Sequence, residues 1–125
     1  MDRKIKMGMV GGGRDAFIGP VHRIAAQMDN KIELVAGAFS SSPRISKLSG
    51  QKLMLQEDRV YRSYKDLIEN ETNLPDGKRI DFLAIVTPNS THYPIAMDAL
   101  EAGFHVICDK PMTMNLKEAR DLQQK

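Results

Sequence analysis

Apolar residues along this chain follow two alternating spacings. Continuous runs at residues 5–10, 32–39, 80–86 and 104–108 are nearly all apolar or small, the pattern of strands covered on both faces. Each run ends in turn-forming or polar residues: Gly11-Gly12-Gly13, Ser40-Ser41-Ser42-Pro43, Thr87-Pro88-Asn89 and Asp109-Lys110-Pro111. Between the runs the spacing becomes helical. Pro20 suits a first helical position, and Val21, Ile24, Ala25 and Met28 fall at i, i+3, i+4 and i+7, predicting an apolar stripe turned to the core before Asn30 stops the helix. Ser42 and Pro43 start a short helix with Ile45 and Leu48, which Ser49-Gly50 weakens or ends. Ser63 caps another, with Tyr64, Leu67 and Ile68 on one face, before a loop at 74–77. A helix over about 91–102 aligns Ile95, Ala96, Ala99 and Leu100, and Gly103 closes it in the left-handed conformation. Asn115 with Glu118 makes a capping-box-like start for a last helix running to Lys125.

Strands alternating with helices over short connections predict an α/β domain, a doubly wound parallel sheet filling residues 1–125. The chain stops inside the helix after the fourth main strand, so the sheet is expected to be truncated before its last strand or strands. Ligands of such sheets bind outside the carboxyl ends of the strands, which directs attention to the residues after Val10, Phe39, Val86 and Cys108. At 42% hydrophobic and 27% charged, the 125 residues have the balance of one compact domain, excluding disorder and coiled coil. A net charge of +2 is too small and too scattered for a nucleic-acid or anionic-membrane surface. No apolar run approaches the ~20 residues that span a bilayer. The single cysteine, Cys108, makes no internal disulfide or cysteine-based metal site, and residues 1–7 alternate charged with apolar side chains instead of forming a signal-peptide core, so a reducing cytoplasm is expected.

Gly11, Gly13 and Ala16 fit G-x-G-x-x-G/A between a strand and a helix: a tight turn, a bare backbone open to a pyrophosphate, and a small residue for close helix packing. The other reading is a glycine-rich turn without a ligand. No acid follows the second strand. Ser40 and Ser41 with Arg44 can hold a 2′-phosphate and favour NADP, the preferred reading, or the serines can bond a bare ribose of NAD while Arg44 packs on adenine. Thr87, Pro88, Asn89 and His92 surround a rigid turn suited to the ribose and nicotinamide side of a cofactor. A metal role for His92 is not expected, since His22 and His105 lie in other elements, and His105 reads as structural within its strand. An ammonium at Lys110 can polarise a substrate oxygen, although a surface lysine is the plain alternative.

The ordered set Gly11-Gly12-Gly13, Phe17-Ile18-Gly19 with His22, Thr87-Pro88-Asn89 with His92, and Asp109-Lys110-Pro111 resembles the N-terminal domain of the glucose-fructose oxidoreductase, inositol dehydrogenase and rhizopine catabolism (Gfo/Idh/MocA) family. Residues 34–41 look like members that act on sugars or sugar nucleotides. The resemblance covers essentially the whole chain and implies a Rossmann-like fold and nicotinamide cofactor. It adds Phe17, Ile18, Asp109, Lys110 and Pro111 to the cofactor-binding residues and gives Lys110 a catalytic role near the reacting carbon and the nicotinamide. It also implies a proline often preceded by a cis bond. Asp109 stands where the family usually carries glutamate. Family enzymes continue into a second α/β domain that supplies most of the substrate pocket and commonly the subunit interface. That domain is expected to lie outside this chain, so a fragment that binds cofactor without turnover is expected, with an exposed strand edge that favours self-association. A sugar-like substrate and a homo-oligomer are expected of the full-length protein. A non-catalytic dinucleotide-sensing module is the alternative. An unrelated nucleotide-binding domain, such as that of an S-adenosylmethionine enzyme, would leave Asp109-Lys110-Pro111 without a role.

Overall fold

The computed structural model describes residues 3–13 and 17–125. Four strands, β1 (Ile5–Gly11), β2 (Ile32–Ala38), β3 (Phe82–Val86) and β4 (His105–Cys108), form one sheet in the order β2-β1-β3-β4, and every pair is parallel. The order reverses beside β1, because β2 lies on one side of it and β3 on the other. A crevice opens at such a reversal in a doubly wound sheet.

Helices cover both faces. α1 (Ile18–Gln27) and α2 (Pro43–Lys52) pack over one, where Met7, Met9, Phe39, Phe82, Ala84 and Val86 form a core. α3 (Tyr64–Thr72), α4 (His92–Glu101) and α5 (Leu116–Gln123) cover the other, over Val10, Ala36, Ala38, Leu83 and Ile85. The alternation along β1 and β3 sends successive side chains to opposite layers. On β4 only one layer is packed: Val106 and Cys108 face the second core, while His105 is exposed and Ile107 is 49% exposed. His105 lies within β4 as expected, paired with Phe82, with its side chain turned to the surface. No helix among the described residues is long and apolar enough to cross a membrane.

The caps follow the sequence. The Ile45 amide donates to the Ser42 hydroxyl, Asp66 to Ser63, and Glu118 to the Asn115 side chain, with Glu118 accepting from Met114 in return. At the end of α4, Gly103 (φ 92°) donates to Leu100 and Phe104 to Ala99, the paired bonds of a left-handed helix stop.

Two helices depart from expectation. α1 starts at Ile18, placing Pro20 in its first turn, where a missing N–H costs nothing. Its apolar stripe faces outward: Val21 is 51% exposed, Ile24 66% and Met28 80%. Gly19 turns the helix. A Cβ on Gly19 would lie 2.4 Å from the Gly12 Cα, so backbone meets backbone there, and the row Gly19, Arg23 and Ala26 is thereby directed inward. α2 runs through Gly50 to Lys52 instead of ending at Ser49-Gly50. A Cβ on Gly50 would come within 2.3 Å of Val60, so that glycine serves packing between neighbours.

Val60 makes a single parallel bridge to Gly37, taking the place that a third strand holds beside β2 in a full doubly wound half. The Tyr61 amide donates to the Gly37 carbonyl at 2.8 Å. The fully buried Ser46 hydroxyl donates to the Tyr61 carbonyl at 2.9 Å and accepts from the Phe39 amide at 3.0 Å.

Candidate functional site

The carboxyl ends of β1, β2 and β3 open into one cleft of about 590 Å³. Gly11 and Gly12 line it from β1, with φ of 84° and 74°, values that side-chain-bearing residues rarely adopt. Ser40 and Ser41 line it from β2, Thr87, Pro88, Thr91 and Ile95 from beyond β3, and Arg62, Ser63 and Tyr64 from the segment leading into α3.

Several residues predicted for the site stand elsewhere. Gly13 packs against β2, where a Cβ would meet the Phe39 carbonyl oxygen at 2.6 Å. Ala16 lies outside the described residues. Phe17 is 87% exposed, and Ile18 packs on the core beneath α1. Arg44 lines a separate hollow with Pro43, Lys47 and Glu57, so it is not brought to the cleft with Ser40 and Ser41. Asn89 is exposed in a 3-10 turn, Asn89–Thr91, before α4. His92 is fully buried and lies behind the cleft. Its Nδ1 is 2.7 Å from the Pro111 carbonyl oxygen and its Nε2 is 2.9 Å from that of Thr87. The protonated nitrogen of a neutral ring donates to one carbonyl, and an imidazolium donates to both. His92 thereby straps the Thr87-Pro88 turn to the Asp109-Lys110-Pro111 loop.

That loop follows β4. The Lys110–Pro111 peptide bond is cis, as the family resemblance implies. Asp109 is tied back to β3 by donation from its amide to the Ile85 carbonyl at 3.1 Å, and its Oδ1 lies 3.4 Å from Nε2 of His22 on α1. Lys110 is exposed. Burial, assisted by Asp109, pushes the neighbouring Cys108 thiol above its ordinary pKa, which keeps it a weak nucleophile.

Residues that the sequence reading missed complete the arrangement. Arg23 reaches under the glycine turn and donates to the Gly12 carbonyl at 2.9 Å, and burial lowers its pKa from the ordinary guanidinium value. The role of Arg62, Ser63 and Tyr64 follows from the Val60 bridge, which brings a short segment of few apolar residues alongside β2. Their only signal in sequence was the cap at Ser63.

The cleft can accept an extended, anionic ligand. Its floor is bare backbone, the first turn of α1 has neither an acidic residue nor a capping side chain, and hydroxyls stand at the end of β2. A structure of an inositol dehydrogenase homologue from Azotobacter vinelandii, complexed with NADH and myo-inositol, superposes with a TM-score of 0.94 at 43% identity over 99% of this chain and 32% of its own. The oxidoreductase YfiI of Bacillus subtilis (strain 168) is 39% identical over 98% of the chain and 31% of its own length. A D-xylose 1-dehydrogenase (NADP(+)) of Hypocrea jecorina is 34% identical over 87% of the chain and 26% of its own length. The chain thus spans about a third of these relatives or less. Residues 5–125 match the model of the oxidoreductase family with an NAD-binding Rossmann fold, GFO_IDH_MocA, and the chain belongs to that family.

Proposed function

We propose that this chain is the cofactor domain of an oxidoreductase that moves a hydride between nicotinamide dinucleotide and a secondary-alcohol carbon of a sugar or cyclitol. One observation carries the reading: the glycine turn, the β2 hydroxyls and the Thr87-Pro88 turn share a cleft, and His92 ties that turn to the loop bearing Lys110. The dinucleotide, when bound, supplies the hydride acceptor or donor. The turn at Gly11 and Gly12 presents backbone to the pyrophosphate, and Ser40 and Ser41 bond the adenosine ribose. Thr87 and Pro88 border the nicotinamide side. Lys110 orients the substrate oxygen and exchanges its proton, while Asp109, His22 and Pro111 fix the loop that carries it.

The myo-inositol bound to the Azotobacter homologue and the xylose dehydrogenase activity of the Hypocrea relative support a polyol substrate. The end of β2, with hydroxyls and no acid, supports NADP over NAD. The enzyme is proposed to work in the cytoplasm, consistent with its single thiol, and to form a homo-oligomer, to which the exposed Ile107, Met112, Met114 and Leu116 contribute.

Calorimetric titration of the chain with NADH, NADPH and S-adenosylmethionine tests the cofactor. Binding of a nicotinamide dinucleotide alone is expected, and binding of S-adenosylmethionine alone would reject the reading. In the whole enzyme assayed with myo-inositol or D-xylose, Lys110→Ala is expected to lower turnover by roughly 100-fold or more with dinucleotide affinity nearly unchanged. Unchanged turnover would remove Lys110 from the chemistry.

A further inference from the structure

We propose that Arg62, not Arg44, recognises the phosphate on the adenosine ribose and so sets the choice between the phosphorylated and unphosphorylated nicotinamide dinucleotides; the inference rests on the cofactor reading above. The backbone path comes first. The parallel bridge pairs Val60 with Gly37, so two residues further on Arg62 stands level with Phe39, at the carboxyl end of the sheet. The Ser46 hydroxyl fixes that register by joining the Tyr61 carbonyl to the Phe39 amide, immediately before Arg62 on one segment and Ser40 on the other. Arg62 consequently lines the cleft with Ser40 and Ser41.

Charge points the same way. Arg3, Arg59 and Arg79 are paired with Asp81, Glu71 and Asp76, and Arg23 is committed to the Gly12 carbonyl. Arg62 has no hydrogen-bond or ion-pair partner among the described residues, and Arg44 faces a different hollow that already holds Glu57. No described carboxylate lines the cleft to repel a phosphate dianion. A guanidinium beside two hydroxyls matches a phosphate, because its planar fork donates two parallel hydrogen bonds to phosphate oxygens. An unphosphorylated ribose offers it no anion.

The test is parallel calorimetric titration of the chain, Arg62→Ala and Arg44→Ala with NADPH and NADH. Arg62 is exposed and unpartnered, so its variant is expected to fold, which a thermal melt by circular dichroism verifies. The wild-type chain should prefer NADPH. Arg62→Ala should weaken NADPH by about 10-fold to 100-fold and leave NADH within about twofold, the effect of losing a charge-assisted bond to one phosphate. Arg44→Ala should change neither. Equal loss on both cofactors in Arg62→Ala, selective loss in Arg44→Ala, or a wild-type preference for NADH would each overturn the inference and leave the cofactor reading standing. Binding of neither dinucleotide by folded protein overturns both.

Discussion

Glu71 has no exposed surface, yet its carboxylate accepts four hydrogen bonds. Arg59 donates two at 2.7 Å, the Tyr61 hydroxyl one at 2.6 Å and the Ile80 amide one at 3.0 Å. The burial opposes charging of Arg59, but the Glu71 carboxylate outweighs it and holds the guanidinium pKa above its ordinary value. Burial and the same carboxylate push the Tyr61 hydroxyl up. A buried ion pair contributes little net stability when compared with a well-packed apolar replacement, but breaking one leaves an uncompensated charge. Glu71→Ala is therefore expected to destabilise the fold by about 3–5 kcal/mol, measured as a lower urea midpoint. A loss below about 1 kcal/mol would mean that water or another group reaches Arg59 when the carboxylate is removed. Under the Arg62 proposal the position also bears on cofactor choice, because Arg59 and Tyr61 flank Val60, the residue that brings Arg62 beside β2. Nothing in the sequence pairs Glu71 with Arg59, since the contact joins a helix to a 3-10 turn (Glu57–Arg59) 12 residues earlier.

Helix ends were legible in the sequence, but helix faces were only partly so. Ser42, Ser63 and Asn115 cap α2, α3 and α5 because a side-chain acceptor before a helical run satisfies local backbone donors, a requirement that needs no knowledge of the rest of the fold. The face that α1 buries is set by a distant contact instead. Its stripe of Val21, Ile24 and Met28 is the most apolar, yet the Gly12–Gly19 approach overrides it and leaves that stripe exposed. Spacing likewise located the glycine turn and the Thr87-Pro88 turn, which follow strand ends directly, but missed Arg62, which depends on a single bridge. The same contact makes Gly19→Ala informative. A methyl group 2.4 Å from the Gly12 Cα must push α1 away from the turn, at a cost of about 1–3 kcal/mol in urea unfolding. NADH affinity should fall with it, because the proposed pyrophosphate site lies against the turn and the start of α1. Unchanged affinity in a destabilised variant would show that α1 recedes without moving the turn.

Across the whole molecule, the two ends of the sheet carry different burdens. The carboxyl ends hold the cleft and its glycine turn, whereas the amino ends are fastened by Asp81, just before β3. Asp81 accepts two bonds from Arg3, at 2.7 and 2.8 Å, and one from the Lys6 amide of β1 at 2.8 Å. The Arg3 hydrogen bond is the largest influence on Asp81. Partial burial acts against it, but the Lys6 amide reinforces it, and the carboxyl pKa falls from 3.8 to about 2. A folded pKa below the unfolded one means that the unfolded chain binds protons first on acidification. The contribution of Asp81 to stability is therefore complete well above pH 4 and is lost as pH falls from about 4 through about 2. Asp81→Asn should lower the urea midpoint at neutral pH and flatten its acid limb in that window, so the two proteins approach each other as pH falls through about 2. Parallel acid limbs would assign the acid sensitivity to other carboxylates. Because this clasp lies at the end of the sheet opposite the cleft, the neutral-pH affinity of Asp81→Asn for NADH should match that of the parent chain. A change in affinity would mean that strain at the amino ends travels along β1 to Gly11.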